Sequence, residues 1–307
     1  MSFTKRIALI VSLFIAAPGI ARADLITDWN AVAYDLMRMA NVDGAPAARA
    51  LAIMHVSQAD AVNTIQNRHT RYAYQGKLQP DASSEAAAAS AARNALLALF
   101  PVQRPRIEEV YAGNLRAVPD GPMKMAGETV GAEAAAAVIA NRADDKTTVP
   151  DIYRPVTTAG VWIPTTPPIT AQYAQAKPWG FDRSDKFRPA PPPPLTSAEY
   201  GRDYNETKTL GGTRSAQRTP EQTEAVKFWS QPNLGLAWHQ AARQLANARR
   251  LELAECARLF ALLSIAHANT FIVDWDAKFH YNFWRPLTAI RNGDIDGNDS
   301  TERDAGW

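Results

Sequence analysis

Lys278 and Arg285 lie seven residues apart within residues 271–291, FIVDWDAKFHYNFWRPLTAIR, which also carries seven aromatic or imidazole rings and two aspartates. On one continuous helix, two turns of separation would leave the two cations within about 20° of each other and about 10.5 Å apart along the axis. Two long cationic side chains can then converge on one anion, the Arg as a planar fork and the Lys as a point charge. Pro286 disfavours helical geometry at Arg285, so the helix is predicted to end there, with Arg285 at its end rather than in a regular stripe. Spacing alone favours the plainer account, a pair of solvated or salt-bridged cations.

The neighbouring acids have a similar double reading. Asp276 and His280 are four apart and share a helical face, as do Asp274 and Lys278. With His267 nine residues before Asp276 and no His or Cys after His280, the donors are too few for a catalytic metal site. Asp274 and Asp276 are therefore expected to pair with Lys278 and nearby arginines. His55, His69, His239 and His267 sit in no motif and are expected to be core or surface residues. Residues 292–303, NGDIDGNDSTER, begin like a calcium loop, but Arg303 stands where a bidentate Glu is required. The stretch reads as an acidic turn, with weak calcium affinity as the alternative. The sequence has no phosphate-binding Walker loop, no G-x-S-x-G and no G-x-G-x-x-G.

Helices must position these residues. Periodicity predicts them over about 26–41, 43–65, 84–100, 106–117, 123–142, 198–210, 220–229, 234–249 and 251–284. Asp43, Ser83 or Ser84, Thr196–Ser197 and Thr219 read as caps, Thr219 with Pro220 and Gln222 approaching a capping box. The small residues of GETVGAEAAAAVIA would let neighbouring helices approach closely. Residues 144–195 break the pattern with 11 of the 21 prolines and with Trp162 and Trp179. They are read as a long ordered crossover within one helical domain, packed through its aromatics. The last helix, apolar all round at its start, is expected at the centre of the bundle.

Composition is ordinary for a globular chain, with 46% hydrophobic and 21% charged among 307 residues. Residues 1–23 have a basic start, an apolar run and an Ala-Arg-Ala site, the pattern of a signal peptide and of a periplasmic or secreted protein. Their removal takes three basic residues and leaves 30 Lys and Arg against 31 Asp and Glu. That balance gives no argument for nucleic acid or a membrane surface. No second apolar run approaches 18 residues in this reading, so no stable membrane span is expected. Cys256, the single cysteine, excludes an intramolecular disulfide and fits a small buried core residue.

KFHYNFWRP is Lys-x6-Arg-Pro, which resembles the first signature of the vanadium-dependent haloperoxidases and the related type-2 phosphatidic acid phosphatases. DWDAKFHYNFWRPLTAIR, GVWIPT, KPW, FRPAPPPPLTSAEY and YNETKTLGG resemble the exported bacterial haloperoxidase-like group, over nearly all of the chain after residue 23. The resemblance implies an all-α helical bundle of the vanadium haloperoxidase type that holds vanadate or phosphate in a positive pocket. It implies oxyanion contacts from Lys278 and Arg285, with Trp275 and His280 as possible pocket lining. Hydrogen peroxide and halide, or a small phosphoester, would be the partners, and a homo-oligomer is possible.

The family's Pro-Ser-Gly-His and Ser-Arg-x5-His signatures, the latter carrying the histidine that binds vanadium, occur nowhere in the sequence. On this reading the bundle is incomplete at its C-terminus, cut before most of its site, with no metal ligand and little or no activity. An acid phosphatase on the same fold and a non-catalytic oxyanion-binding or interaction protein are the alternatives.

Overall fold

The computed structural model describes residues 24–165, 170–230 and 235–307. The expected signal peptide over residues 1–23 and the expected helix start at Leu234 lie outside them. Among the described residues there are ten α-helices. They are α1 Asp24–Met39, α2 Gly44–Gln66, α3 Ser84–Leu99, α4 Arg104–Leu115, α5 Pro122–Asn141, α6 Ala198–Gly211, α7 Pro220–Trp229, α8 Gly235–Arg249, α9 Leu253–Tyr281 and α10 Pro286–Arg291. The described residues contain no strand; one isolated bridge joins Val161 to Phe283.

Local chemistry sets most helix starts. Ser83 accepts from the Ala86 N–H and Ser197 from the Tyr200 N–H. Thr219 and Gln222 form the full capping box. Asp43 occupies the N-cap of α2, but its side chain makes no capping bond.

The enclosed helix is α2, with 18 of its 23 residues buried and with α3, α5 and α9 packed around it. This corrects the expectation that α9 lies at the centre. Alanines along α2 let neighbours close in on every side, whereas α9 keeps an open flank where Leu262 is 51% exposed. A second correction concerns membranes. By length and composition α9 is apolar enough to cross one. Here its other face packs on α2, as in a bundle helix.

The α3–α5 seam is held close by glycine. A Cβ on Gly127 would lie 2.4 Å from the Ser83 carbonyl oxygen, and one on Gly131 would lie 2.3 Å from that of Ala87. Nothing larger than hydrogen fits at either position.

Among the described residues of 144–195 the helical elements are two 3-10 turns, Ala171–Gln175 and Ser184–Phe187. Their anchors are specific. Trp179 is buried, with the Arg142 guanidinium 4.1 Å from its ring centroid. Asn269 of α9 brackets the Trp179 backbone, accepting from its N–H at 2.8 Å and donating to its carbonyl at 2.8 Å. Arg49 of α2 donates to Asp145 at 2.6 Å.

Candidate functional site

The helix carrying Lys278 ends at Tyr281, because Asn282 takes the left-handed conformation (φ 48°) as C-cap and donates its N–H to the Lys278 carbonyl at 2.8 Å. The chain then runs extended against the crossover. Trp162 N–H donates to the Asn282 carbonyl at 2.8 Å, and Trp284 N–H donates to the Gly160 carbonyl at 2.9 Å. The Tyr153 hydroxyl, 2.9 Å from both the Trp162 carbonyl and Asn282 Oδ1, shares its proton between them. Arg285 follows as the extended N-cap of α10 (φ −76°, ψ 155°), with Pro286 at the first helical position.

Lys278 and Arg285 therefore stand on two elements with a break between them. The continuous-helix geometry does not apply, and the predicted end at about Trp284 moves back to Tyr281. Proline restricts Arg285 as expected, but the left-handed Asn282 stops the helix first.

Lys278 is half exposed. Its Nζ lies 3.0 Å from an Asp274 carboxylate oxygen and 4.2 Å from the centroid of the Trp275 ring. Trp275 is thus brought to Lys278. Its indole Nε1 donates to Thr170 Oγ1 at 3.2 Å, which fixes the ring face under the ammonium. His280 is exposed and meets Tyr281 edge-on at 4.8 Å between centroids. Arg285 is exposed and, among the described residues, forms no ion pair.

Asp276 is used structurally. It is 7% exposed and receives both Arg188 Nε at 2.7 Å and Nη2 at 2.9 Å, with Ser184 Oγ at 3.2 Å. The two aspartates pair with cations, as their spacing suggested. Among the described residues no group of three or more His, Cys, Asp or Glu is placed to hold a metal ion. In the acidic turn, Asp296 is buried and accepts from the Asn298 N–H at 2.9 Å and the Thr301 hydroxyl at 2.8 Å. Its carboxylate closes the turn on itself.

The sequence did not reveal a buried polar cluster further back along α9, joined to the Lys278 end of the helix through His267, Phe271 and Trp275. His55 of α2 and His239 of α8 are fully buried, their ring centroids 6.1 Å apart, and His267 of α9 lies 5.9 Å from His239. Asn30 of α1, also fully buried, donates from Nδ2 to His55 Nε2 at 2.9 Å and to His239 Nδ1 at 3.0 Å. The Asn30 Oδ1 accepts from Arg243 at 3.0 Å, which assigns the amide's orientation. Both imidazoles must then be neutral acceptors at those nitrogens, leaving His55 Nδ1–H to donate to Gln58 Oε1 at 2.9 Å. Burial pushes His55 down to about 3, opposed by the Gln58 bond. It pushes His239 down to about 2, helped by His55, His267 and Arg243. Each member comes from a different helix, so no local motif announces the cluster.

Residues 258–307 match the VCPO second helical-bundle domain. A vanadium chloroperoxidase of Curvularia inaequalis is 27% identical over 132 residues, covering 36% of this chain and 22% of that enzyme. Crystal structures of a bacterial vanadium-dependent iodoperoxidase (TM-score 0.72, 21% identity) and of an apo bacterial vanadium-dependent chloroperoxidase (TM-score 0.62, 15% identity) are similar in fold. The first alignment covers 91% of this chain and 74% of the iodoperoxidase, the second 80% and 64%. Sequence and fold both place the resemblance with the vanadium haloperoxidases. The chain spans about a fifth of the curated enzyme's length, 22%; the separate domain match over residues 258–307 includes Trp275, Lys278, His280 and Arg285.

Proposed function

We propose that the chain is a vanadium haloperoxidase-like protein in which Lys278 and Arg285 hold vanadate, or phosphate, as an oxyanion. The observation that carries this reading is the pair of cations flanking the Asn282 break, inside the segment that matches a haloperoxidase domain. The donor set fits the oxygens of such an anion, one ammonium and one planar guanidinium. It does not fit the metal's direct ligand: His280 is exposed and held edge-on to Tyr281.

To bind, Lys278 Nζ exchanges its Asp274 contact for the ligand's oxygens while the indole face of Trp275 holds the ammonium in place. Arg285, without a carboxylate to surrender, closes on the other side. The Arg188 fork neutralises Asp276 two residues before Lys278 and so removes a charge that would repel the anion. With hydrogen peroxide and halide as the co-substrates, the 307 residues by themselves are expected to turn over little or not at all. Neither an acid–base imidazole nor a third arginine from the missing signatures accompanies the pair. The signal-like first 23 residues support an exported, periplasmic or secreted protein.

Calorimetry with orthovanadate and with phosphate tests the reading, alongside bromination of a phenol dye with peroxide and hydrolysis of a chromogenic phosphate. Oxyanion binding that Lys278→Ala abolishes, without turnover, is the expected result. Vanadate-inhibited phosphate hydrolysis would transfer the site to a phosphatase. Robust bromination would overturn the inactive assignment, and unchanged binding in Lys278→Ala would overturn the site.

A further inference from the structure

A cavity of about 300 Å³ opens between α1, the start of α2 and α8, on the far side of the buried histidines from Lys278. Its walls are of two kinds. Ala31, Met37, Val42 and Ala47 supply an apolar surface; Asp35, Arg38 and Arg243 supply charge. The lining carries one more positive than negative charge, because Asp35 pairs with Arg38 at 3.6 Å and Arg243 has no carboxylate contact among the described residues.

Arg243 is half-buried, and its partners among the described residues are neutral. It donates to Asn30 Oδ1 at 3.0 Å, and its guanidinium carbon lies 6.0 Å from the Tyr34 ring centroid. Most of its donor capacity is therefore uncommitted in a place where solvent is partly excluded, and such a charge gains strongly from an anionic partner. Tyr34, also lining the cavity, has a buried hydroxyl with no hydrogen-bond partner. The volume sits at the lower end of the range that encloses small organic ligands.

The geometry points to a binding site for a small apolar monocarboxylate, its carboxylate on Arg243 and its hydrocarbon body on Met37, Val42 and Ala47. The single excess charge selects a monoanion over a doubly charged phosphate. The apolar floor selects an organic acid over a bare halide. Arg243 is also the link between the cavity and Asn30, so an occupant would bear on the amide that orients His55 and His239. This site is independent of the oxyanion reading at Lys278.

The probe is benzoate, titrated calorimetrically into the intact protein, with uncharged benzamide and inorganic phosphate as comparators. Benzoate is expected to bind one to one, with benzamide and phosphate at least about tenfold weaker. Arg243→Gln should lose at least about tenfold in affinity, and Lys278→Ala should lose nothing. Arg243 also supports Asn30, so two gentler variants guard against misfolding. Arg38→Gln changes an exposed residue, and Ala47→Leu fills the apolar end while leaving every charge in place; both should weaken benzoate. Failure of benzoate to bind at millimolar concentration, equal binding of benzamide, or unchanged affinity in Arg38→Gln and Ala47→Leu would each overturn the proposal.

Discussion

Asn30 donates to His239 Nδ1 across 3.0 Å although 209 positions of sequence separate the two residues. The bond fastens α1 to α8, and the same amide nitrogen reaches His55 on α2 at 2.9 Å. Three helices meet on one side chain.

The first consequence is acid sensitivity. His55 and His239 are neutral in the fold, held down from 6.5 to about 3 and about 2. They are faced by Asn30 and Tyr34 from α1, Gln58 from α2, Arg243 from α8, and Phe260 and His267 from α9. Below about pH 6.5 the unfolded chain takes up protons that the fold refuses, so their contribution is full above that pH and is lost as pH falls toward 3. Each imidazole contributes a slope of up to about 1.4 kcal/mol per pH unit. Urea unfolding at pH 7.5, 6.0 and 5.0 should show a falling midpoint, with a shallower fall in His239→Gln.

Asn30→Leu removes the shared donor and leaves two buried imidazole acceptors unsatisfied. A loss of about 2–4 kcal/mol is expected by chemical denaturation. Asn30→Asp should reverse the pH response. A carboxylate there cannot donate to neutral imidazoles and is stabilised by their protonated forms, so this variant should gain stability relative to Asn30→Leu as pH falls from 7 to 5. An equal response of the two variants would contradict the assigned tautomers.

At the α3–α5 seam, helix propensity and packing oppose each other. Gly131→Ala gains about 1 kcal/mol of intrinsic helix preference. Its Cβ, however, would sit 2.3 Å from the Ala87 carbonyl oxygen and 2.7 Å from Ser90 Cβ. Packing should win, with net destabilisation of about 1–3 kcal/mol. A raised melting temperature would show that the seam can open without loss.

Arg188 and Asp276 offer a test of how the crossover holds α9. Arg188→Ala strands a nearly buried carboxylate that now receives two guanidinium bonds, so a measurable loss of stability is expected, limited by the exposure of the arginine. Hydrogen exchange should quicken around residues 183–189, and vanadate affinity should fall because the freed Asp276 charge repels the anion. Asp276→Asn should restore much of that affinity in the Arg188→Ala background, a result that a purely structural role would not give.

Much of the architecture was legible in the sequence because its causes are local. Ser83, Ser197 and Thr219 cap the helices that follow them, and the GETVGAEAAAAVIA run forecast the close seam. The end of α9 was not legible. Asn282 adopts its left-handed turn in a segment that pairs with residues 160–162, more than a hundred positions earlier. Nor could spacing show that α2 rather than α9 is enclosed, since alanine-rich and leucine-rich helices both read as apolar. The histidine cluster was illegible for a further reason: His55, His239 and His267 each lie alone in a separate helix, and only packing brings them together. At the candidate site, the pairing of both aspartates with cations was readable from residue types, while the separation of Lys278 from Arg285 by a break was not.

The extended run between α9 and α10 is registered to the crossover through Trp162, Gly160 and Tyr153. Lys278 takes its position from the helix, whereas Arg285 takes its position from a proline-rich strap. The spacing between the two cations is consequently an adjustable dimension. Insertions or substitutions in the strap around residues 153–162 can widen or narrow the grip without touching the alanines of α2 and α3, which gives related chains, or an engineer, a way to retune anion size at fixed scaffold.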